Sequence, residues 1–133
     1  GADSAGWDKF IVKEGGNKFP LSHGYVNASG HKIQMDGVHV LNFLNHKVVP
    51  SLKCFLEKEH LSAEEISQFL VHQGSQLALE CFKNRMGVSS EKVFSNLLQM
   101  GNTVSSSIPG SSGCLPCRTG GLCSIGINHF MYK

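Results

Sequence analysis

The sequence lacks a long apolar run, a strong charge excess and a regular cysteine framework. No stretch approaches the roughly 18 apolar residues of a membrane span, and the N-terminus shows no apolar signal-peptide core. Twelve Lys and Arg residues against ten Asp and Glu residues leave a net charge of +2, which indicates neither a nucleic-acid-binding nor an anionic-membrane-binding surface. Five cysteines are an odd number without framework spacing, unlike a secreted disulfide scaffold. We therefore expect a cytoplasmic globular domain with no nucleic-acid or membrane partner.

The residues that are present suffice for one folded domain. The chain has 133 residues, of which 41% are hydrophobic, enough to form a core. Glycines and prolines interrupt residues 1–30, which predicts a flexible or loop-rich segment there. Residues 31–109 carry the periodic apolar patterns of an ordered domain. Residues 110–133 are rich in Gly, Ser and Cys, contain no acidic residue, and are predicted to form an irregular tail.

Helical and strand patterns alternate along the ordered segment. Helix is expected to begin after Met35-Asp36-Gly37, because apolar residues recur every three to four positions from there to about His60. Pro50 predicts a kink or a restart within this helix. The apolar run Ile66–Val71 is the best strand candidate.

A second helix and a second strand follow. The helical period resumes over Gln76–Met86, and Gly87 stands where a helix-ending glycine belongs. Val93–Phe94 predicts a brief strand. This alternation of helices and strands predicts an α/β fold.

Two polar residues follow predicted strand units and are candidates for a site. His72 comes directly after the first strand, and Asn102 follows Gly101 after the second. Ligands of α/β proteins bind beyond the carboxyl ends of strands, where a His can move protons and an Asn amide can donate to an oxyanion. The alternative is structural: His72 would begin a helix and Asn102 would occupy a left-handed turn.

A series of motifs resembles a known enzyme family. The runs MDG, VVP, LSAEEI, HQGS, KNRMGVSSEKVF and GNTVSSSIP stand in the order and spacing of the C-terminal half of β-ketoacyl-acyl-carrier-protein synthase III. The resemblance covers about residues 30–109. It implies half of a thiolase-like fold, a layered α/β/α arrangement with a mixed sheet.

The resemblance also implies roles for individual residues. His72 and Asn102 correspond to the family's active-site histidine and asparagine, which polarise the thioester carbonyl of malonyl-carrier protein and stabilise the enolate formed on decarboxylation. Gln73 is expected to orient the histidine loop and Ser75 to support it. Gly101 is expected to allow the turn beside Asn102.

The implied activity is that of an acyltransferase of fatty-acid or polyketide synthesis. The family condenses an acyl-CoA or other acyl thioester with malonyl-acyl-carrier protein and needs no cofactor. Its nucleophilic cysteine belongs to the N-terminal half, whereas Cys54 and Cys81 lie on predicted helices and are interpreted as core residues. We therefore expect this chain alone to be inactive in condensation. Acyl carrier protein is the implied partner, together with self-association or pairing with an N-terminal half.

The sequence departs from the family at three places. Ser75 stands where the family's H-Q-A-N motif has its Asn, and Leu77 replaces an Arg that helps hold the carrier protein, although Lys83 and Arg85 lie nearby. After Pro109 the family's next helix, strand and glycine loop are not recognisable. A reading-frame disruption or a diverged ending would account for this, and would leave a position in the central sheet unfilled.

The tail also allows a metal-binding interpretation. Three thiolates and one imidazole could bind zinc tetrahedrally through Cys114, Cys117, Cys123 and His129. Such a small zinc module, and a non-catalytic half-fold that pairs with a partner chain, are the two alternatives to the synthase interpretation.

Overall fold

The computed structural model describes residues 4–17, 19–20 and 30–108 and the backbone of residues 124–127. The described residues belong to two compact units. The first extends to Phe43, and the second begins at Leu44.

The first unit contains a small antiparallel ladder and one helix. Strand β1 (Phe10–Ile11) pairs with strand β2 (Gln34–Met35). Helix α1 (Gly37–Phe43) begins directly after Asp36, whose Oδ1 accepts a hydrogen bond from the backbone N–H of His39 at 2.9 Å. This N-terminal cap explains why the helix begins where the sequence indicates.

The long helix of the sequence prediction is divided. Beyond α1, residues Leu44–Val48 form a π-helical turn, and helix α2 follows at Val49–Lys58. Pro50 lies in the first turn of α2, directly after the π-helical turn, where its missing N–H interrupts the helical hydrogen-bond series. The expected restart at Pro50 is thus confirmed.

A polar turn connects α2 to the sheet. The backbone N–H and the hydroxyl of Ser62 both donate to Glu65 Oε2, at 2.7 and 2.8 Å. These hydrogen bonds lower the pKa of the Glu65 carboxyl below its ordinary value of 4.5, and the backbone hydrogen bond has the larger effect. The S-x-x-E sequence at Ser62–Glu65 thus makes the carboxylate half of a capping box, on a turn at residues 63–65 and not on a helix.

Strand β3 (Gln68–Val71) lies between two parallel neighbours. All four residues of strand β4 (Ser124–Ile127) pair with β3, from Ser124 opposite Gln68 to Ile127 opposite Val71. Val93 forms a single parallel bridge to Phe69, which is also paired with β4, so that the two neighbours flank opposite edges of β3. The strand predicted at Val93–Phe94 is thus reduced to one bridge.

The position of β4 corrects the prediction of an irregular tail without a final strand. Residues 124–127 occupy the sheet position beside β3 that was expected to be unfilled. The sequence analysis did not predict this, because the alternation of Ile125 and Ile127 with small residues covers only four positions in a segment rich in Gly, Ser and Cys. Pairing with β3, and not local preference, determines the strand.

Helix α3 (Gln76–Met86) completes the core of the second unit. It ends at Gly87, whose φ of +76° is left-handed. The Phe69 and Phe82 rings meet edge to face, with centroids 5.8 Å apart. The buried core side chains come from α2, β3, α3 and the segments beside them: Val49, Leu52, Leu56, Ile66, Phe69, Val71, Leu79, Phe82, Met86 and Val93.

Short helical turns follow α3 and lead toward the candidate site. These are a 3₁₀ turn at Ser90–Lys92, helix α4 (Leu97–Met100) and a second 3₁₀ turn at Val104–Ser106. The interpretation of Cys54 as a core residue is wrong, because it is exposed on α2. Cys81 is half-buried on α3. None of the helices within the described residues is long and apolar enough to span a membrane.

Candidate active site

The loop from His72 to Ser75 connects the carboxyl end of β3 to α3. Gln73 is only 1% exposed, and its Oε1 accepts a hydrogen bond from the backbone N–H of Asn96 at 3.0 Å. The Ser95 hydroxyl lies 3.5 Å from the same oxygen. Gln73 thereby connects the histidine loop to the segment before α4.

Ser75 is the N-terminal cap of α3. Its extended backbone places Oγ 3.2 Å from the N–H of Ala78, which donates to it. Asn is an equally good capping residue, so the difference from the family's motif preserves the capping chemistry. Ser75 therefore supports the loop through the helix start.

Asn102 lies at the end of a tight turn that glycine makes possible. Gly101 has φ +66° and ψ −166°, a combination that is nearly restricted to glycine. Asn102 Oδ1 accepts a hydrogen bond from the N–H of Val104 at 2.9 Å. Its Nδ2 lies 3.4 Å from the carbonyl oxygen of Gly74 in the histidine loop. The two predicted site segments are thus adjacent.

The backbone of Val104 joins His72 to Asn102. While the Val104 N–H donates to Asn102, the Val104 carbonyl oxygen lies 3.0 Å from His72 Nδ1. A carbonyl oxygen can only accept, so Nδ1 carries the proton in this hydrogen bond. In the neutral ring the lone pair is then on Nε2, and only the imidazolium can donate from Nε2.

The Val104 backbone has an unusual conformation. Its φ of +53° is left-handed, which costs a β-branched residue on the order of 1–3 kcal/mol. The Ser107 hydroxyl donates to the same carbonyl oxygen at 2.9 Å, and Ser107 is 3% exposed. Sequence reasoning missed both residues, since Val104 acts through its backbone N–H and carbonyl oxygen, which no side-chain pattern reveals.

The two cations that follow the histidine motif in the sequence lie in the last turn of α3, at the end of the helix opposite the histidine loop. Lys83 Nζ lies 2.8 Å from Glu80 Oε1, and this hydrogen bond is the main reason that the pKa of the Glu80 carboxyl lies below its ordinary value. Arg85 is exposed on the same helix. Lys83 is therefore already paired with the Glu80 carboxylate.

The described part of the chain does not test the zinc interpretation of the tail. Within residues 4–17, 19–20 and 30–108, no three His, Cys, Asp or Glu side chains are grouped closely enough to hold a metal ion. The four candidate zinc ligands, Cys114, Cys117, Cys123 and His129, lie outside the residues whose side chains the structure describes.

Known proteins of one family are similar to this chain. Residues 56–111 match the family described as 3-oxoacyl-[acyl-carrier-protein (ACP)] synthase III C terminal. The β-ketoacyl-[acyl-carrier-protein] synthase III of Chlorobium phaeovibrioides is 32% identical over 106 residues, or 80% of this chain and 32% of that relative. The chain thus spans about a third of the length of its curated relatives.

Solved structures agree with the sequence comparison. A 3-oxoacyl-(acyl-carrier-protein) synthase III crystal structure matches 96% of this chain and 42% of its own, with a TM-score of 0.80 and 25% identity. The 3-oxoacyl-(acyl-carrier protein) synthase of Burkholderia xenovorans matches 82% of this chain and 32% of its own, with a TM-score of 0.72 and 28% identity.

The fold is therefore that of a half of the thiolase-like class, an α/β domain. Within that class, residues 56–111 belong to the 3-oxoacyl-acyl-carrier-protein synthase III family and correspond to its C-terminal region.

Proposed function

We propose that this chain provides the histidine–asparagine part of a decarboxylating site of the synthase III type. The observation that carries the proposal is the Val104 backbone, whose N–H donates to Asn102 Oδ1 and whose carbonyl oxygen accepts from His72 Nδ1. One residue thereby orients two side chains that lie 30 positions apart in the sequence. Residues 31–109 form the functional segment in this proposal.

The chemistry follows from the orientation of the two side chains. The Asn102 carbonyl end is taken by the Val104 N–H, so the NH₂ end is directed to the histidine loop, where one of its two hydrogens suffices for Gly74. The second N–H and the Nε2–H of a protonated His72 are the donors for the carbonyl oxygen of a malonyl thioester. Both act where negative charge develops.

The proposed step is decarboxylation of the malonyl group. The bond between the carboxylate and the α-carbon breaks, CO₂ leaves, and the electron pair forms an enolate whose charge is on the thioester oxygen. Donation from Asn102 and His72 stabilises that oxygen. The enolate then attacks an acyl thioester and releases a thiolate, with the acyl-carrying cysteine contributed by a part of the enzyme that corresponds to the family's N-terminal half.

The test is release of CO₂ from malonyl-CoA by the full chain, together with nuclear magnetic resonance titration of malonyl-CoA binding. We expect His72→Ala and Asn102→Ala each to lower the decarboxylation rate by about 100-fold or more, the cost of one oxyanion donor. His46→Gln, an exposed histidine on the π-helical turn, is the matched control and should match the wild type. The proposal fails if malonyl-CoA shifts no resonance of the histidine loop, or if CO₂ release is equal in all variants.

Pairing with another polypeptide segment is a second component of the proposed function. Large apolar side chains are exposed within five positions of His72 or Asn102: Leu77 at 61%, Leu98 at 93%, Met100 at 62% and Val104 at 57%. Exposed apolar groups clustered in this way are typical of interaction surfaces. We propose that a second copy or an N-terminal half covers them, and that acyl carrier protein delivers the malonyl group. No cofactor is needed for the proposed chemistry.

A further inference from the structure

We infer that Gly74 is a specificity-determining residue, which leaves room beside His72 for a small substituent on the α-carbon of a malonyl thioester. The inference deepens the proposed function and rests on it, because it concerns the substrate of the same site. Gly74 supplies no reacting group. Its contribution is the space that a side chain at this position would occupy.

Gly74 lies against both proposed donors. Its carbonyl oxygen is 3.4 Å from Asn102 Nδ2, which donates to it. On the opposite side of the residue, an added Cβ would stand 3.6 Å from both Nε2 and Cδ2 of the His72 ring. These two ring atoms are bonded to each other, so the Cβ would lie beside the Nε2–Cδ2 bond. Gly74 is therefore next to the histidine nitrogen that the proposed site uses as a donor.

The space at this position is open. Within the described residues, and apart from the chain neighbours of Gly74, only atoms of the His72 ring lie within 4 Å of the added Cβ. The backbone does not require a glycine, because the φ of Gly74 is outside the left-handed region. The H-Q-A-N motif of the family has an alanine here. The glycine of this chain therefore removes one methyl group from the surface beside His72.

A substituent on the substrate is held close to this space. In the proposed site, the thioester carbonyl oxygen accepts hydrogen bonds from His72 Nε2 and Asn102 Nδ2. A methyl group on the α-carbon is only three bonds from that oxygen, so it stays near the ring that donates to the oxygen. Such a methyl group has the size of an alanine Cβ, and the two would compete for the space that Gly74 leaves open.

Methylmalonyl-CoA is the substrate that probes this space. The bond between its carboxylate carbon and its α-carbon breaks, CO₂ leaves, and the electron pair forms a methyl-substituted enolate. Without an acyl acceptor, the α-carbon of this enolate takes a proton from water and yields propanoyl-CoA. Malonyl-CoA yields acetyl-CoA by the same steps. Mass spectrometry distinguishes the two products, which differ by one CH₂ group.

The test is a competition between malonyl-CoA and methylmalonyl-CoA, at equal concentrations in one sample of the full chain. The ratio of propanoyl-CoA to acetyl-CoA reports the relative kcat/KM of the two substrates, and we expect the wild type to form both products. Gly74→Ala should lower this ratio by about tenfold or more, the discrimination typical of a single added methylene group. Because both products form in one sample, a loss of folded protein does not change the ratio.

The control variant changes a glycine away from the site. Gly37→Ala on α1 would bring its new Cβ to 4.0 Å from the Met35 side chain and should keep the wild-type ratio. A wild type that forms acetyl-CoA but no propanoyl-CoA, or a Gly74→Ala ratio equal to that of the wild type, would overturn the inference and leave the proposed function intact. Absence of both products from the wild type would reject the proposed function and this inference with it.

Discussion

Two residues beside Asn102 reach left-handed backbone angles by different routes. Gly101 adopts φ +66° at no steric cost, because it has no Cβ. Val104 adopts φ +53° against its own preference and is held by hydrogen bonds to Asn102, His72 and Ser107. The two residues therefore differ in what determines the backbone angle. Glycine permits the turn by itself, whereas the surrounding hydrogen bonds impose the conformation of the valine.

Gly101→Ala tests the requirement for glycine. We expect the free energy of unfolding to fall by about 1–3 kcal/mol, because alanine is strained at φ +66° and ψ −166° even though the space around it is open. Urea unfolding followed by circular dichroism measures the change. Gly74→Ala is the matched control, since its new Cβ would meet the His72 ring at an ordinary 3.6 Å without a left-handed φ. Equal stability of the two variants would contradict the interpretation.

At the scale of elements, the site is formed by two loops that adjoin short helices. The Gln73 side chain accepts a hydrogen bond from the segment before α4, and the Ser75 hydroxyl caps the start of α3. Helix α3 in turn contributes Leu79 and Phe82 to the core against β3. The position of His72 therefore depends on the packing of α3 as well as on the end of the strand.

Ser75→Ala removes the N-terminal cap of α3. We expect a loss of about 1 kcal/mol in the free energy of unfolding, because the Ala78 N–H loses its acceptor at the helix start. Chemical denaturation of the purified chain measures the loss. Ser75→Asn, which restores the residue of the family's motif, should unfold within a few tenths of a kcal/mol of the wild type. The capping role would be refuted by an asparagine variant as unstable as the alanine variant.

At the scale of the whole molecule, the chain presents apolar surface that a complete synthase would be expected to cover. It spans about a third of the length of its curated relatives, and Leu98 is 93% exposed on α4 close to Asn102. Within the second unit, however, β3 has a neighbour on each edge, because β4 and Val93 both pair with it. Four of the five large apolar side chains that are exposed in the described part of this unit lie within five positions of His72 or Asn102: Leu77, Leu98, Met100 and Val104.

Self-association of the chain is the expected result of this exposed surface. Light scattering coupled to size-exclusion chromatography should detect dimers or larger species at micromolar concentration. Leu98→Gln should weaken the association, whereas Phe55→Gln, which changes a 48% exposed side chain on α2 away from the site, should leave it unchanged. A compact monomer at all concentrations would count against pairing.

The sequence by itself predicted helices α1 to α3, strand β3 and the two site segments. Apolar periodicity indicates the helical region from Gly37 to about His60 and helix α3, and Gly87 and Pro50 mark an end and a restart, because each of these signals acts over a few neighbouring residues. The motifs around His72 and Asn102 identify the family, and the comparisons confirm it. The catalytic roles of these two residues stay predictions.

Only the tertiary structure decided which residues join the two site segments and what fills the sheet beside β3. Strand β4 has only a four-residue alternation as a local signal and forms by pairing with β3, more than 50 positions earlier in the chain. The backbone N–H and carbonyl oxygen of Val104 join His72 to Asn102, so no side-chain pattern could indicate this connection. Long-range pairing and backbone hydrogen bonds depend on where the folded chain brings its segments together, and this is the physical reason that they are invisible in the sequence.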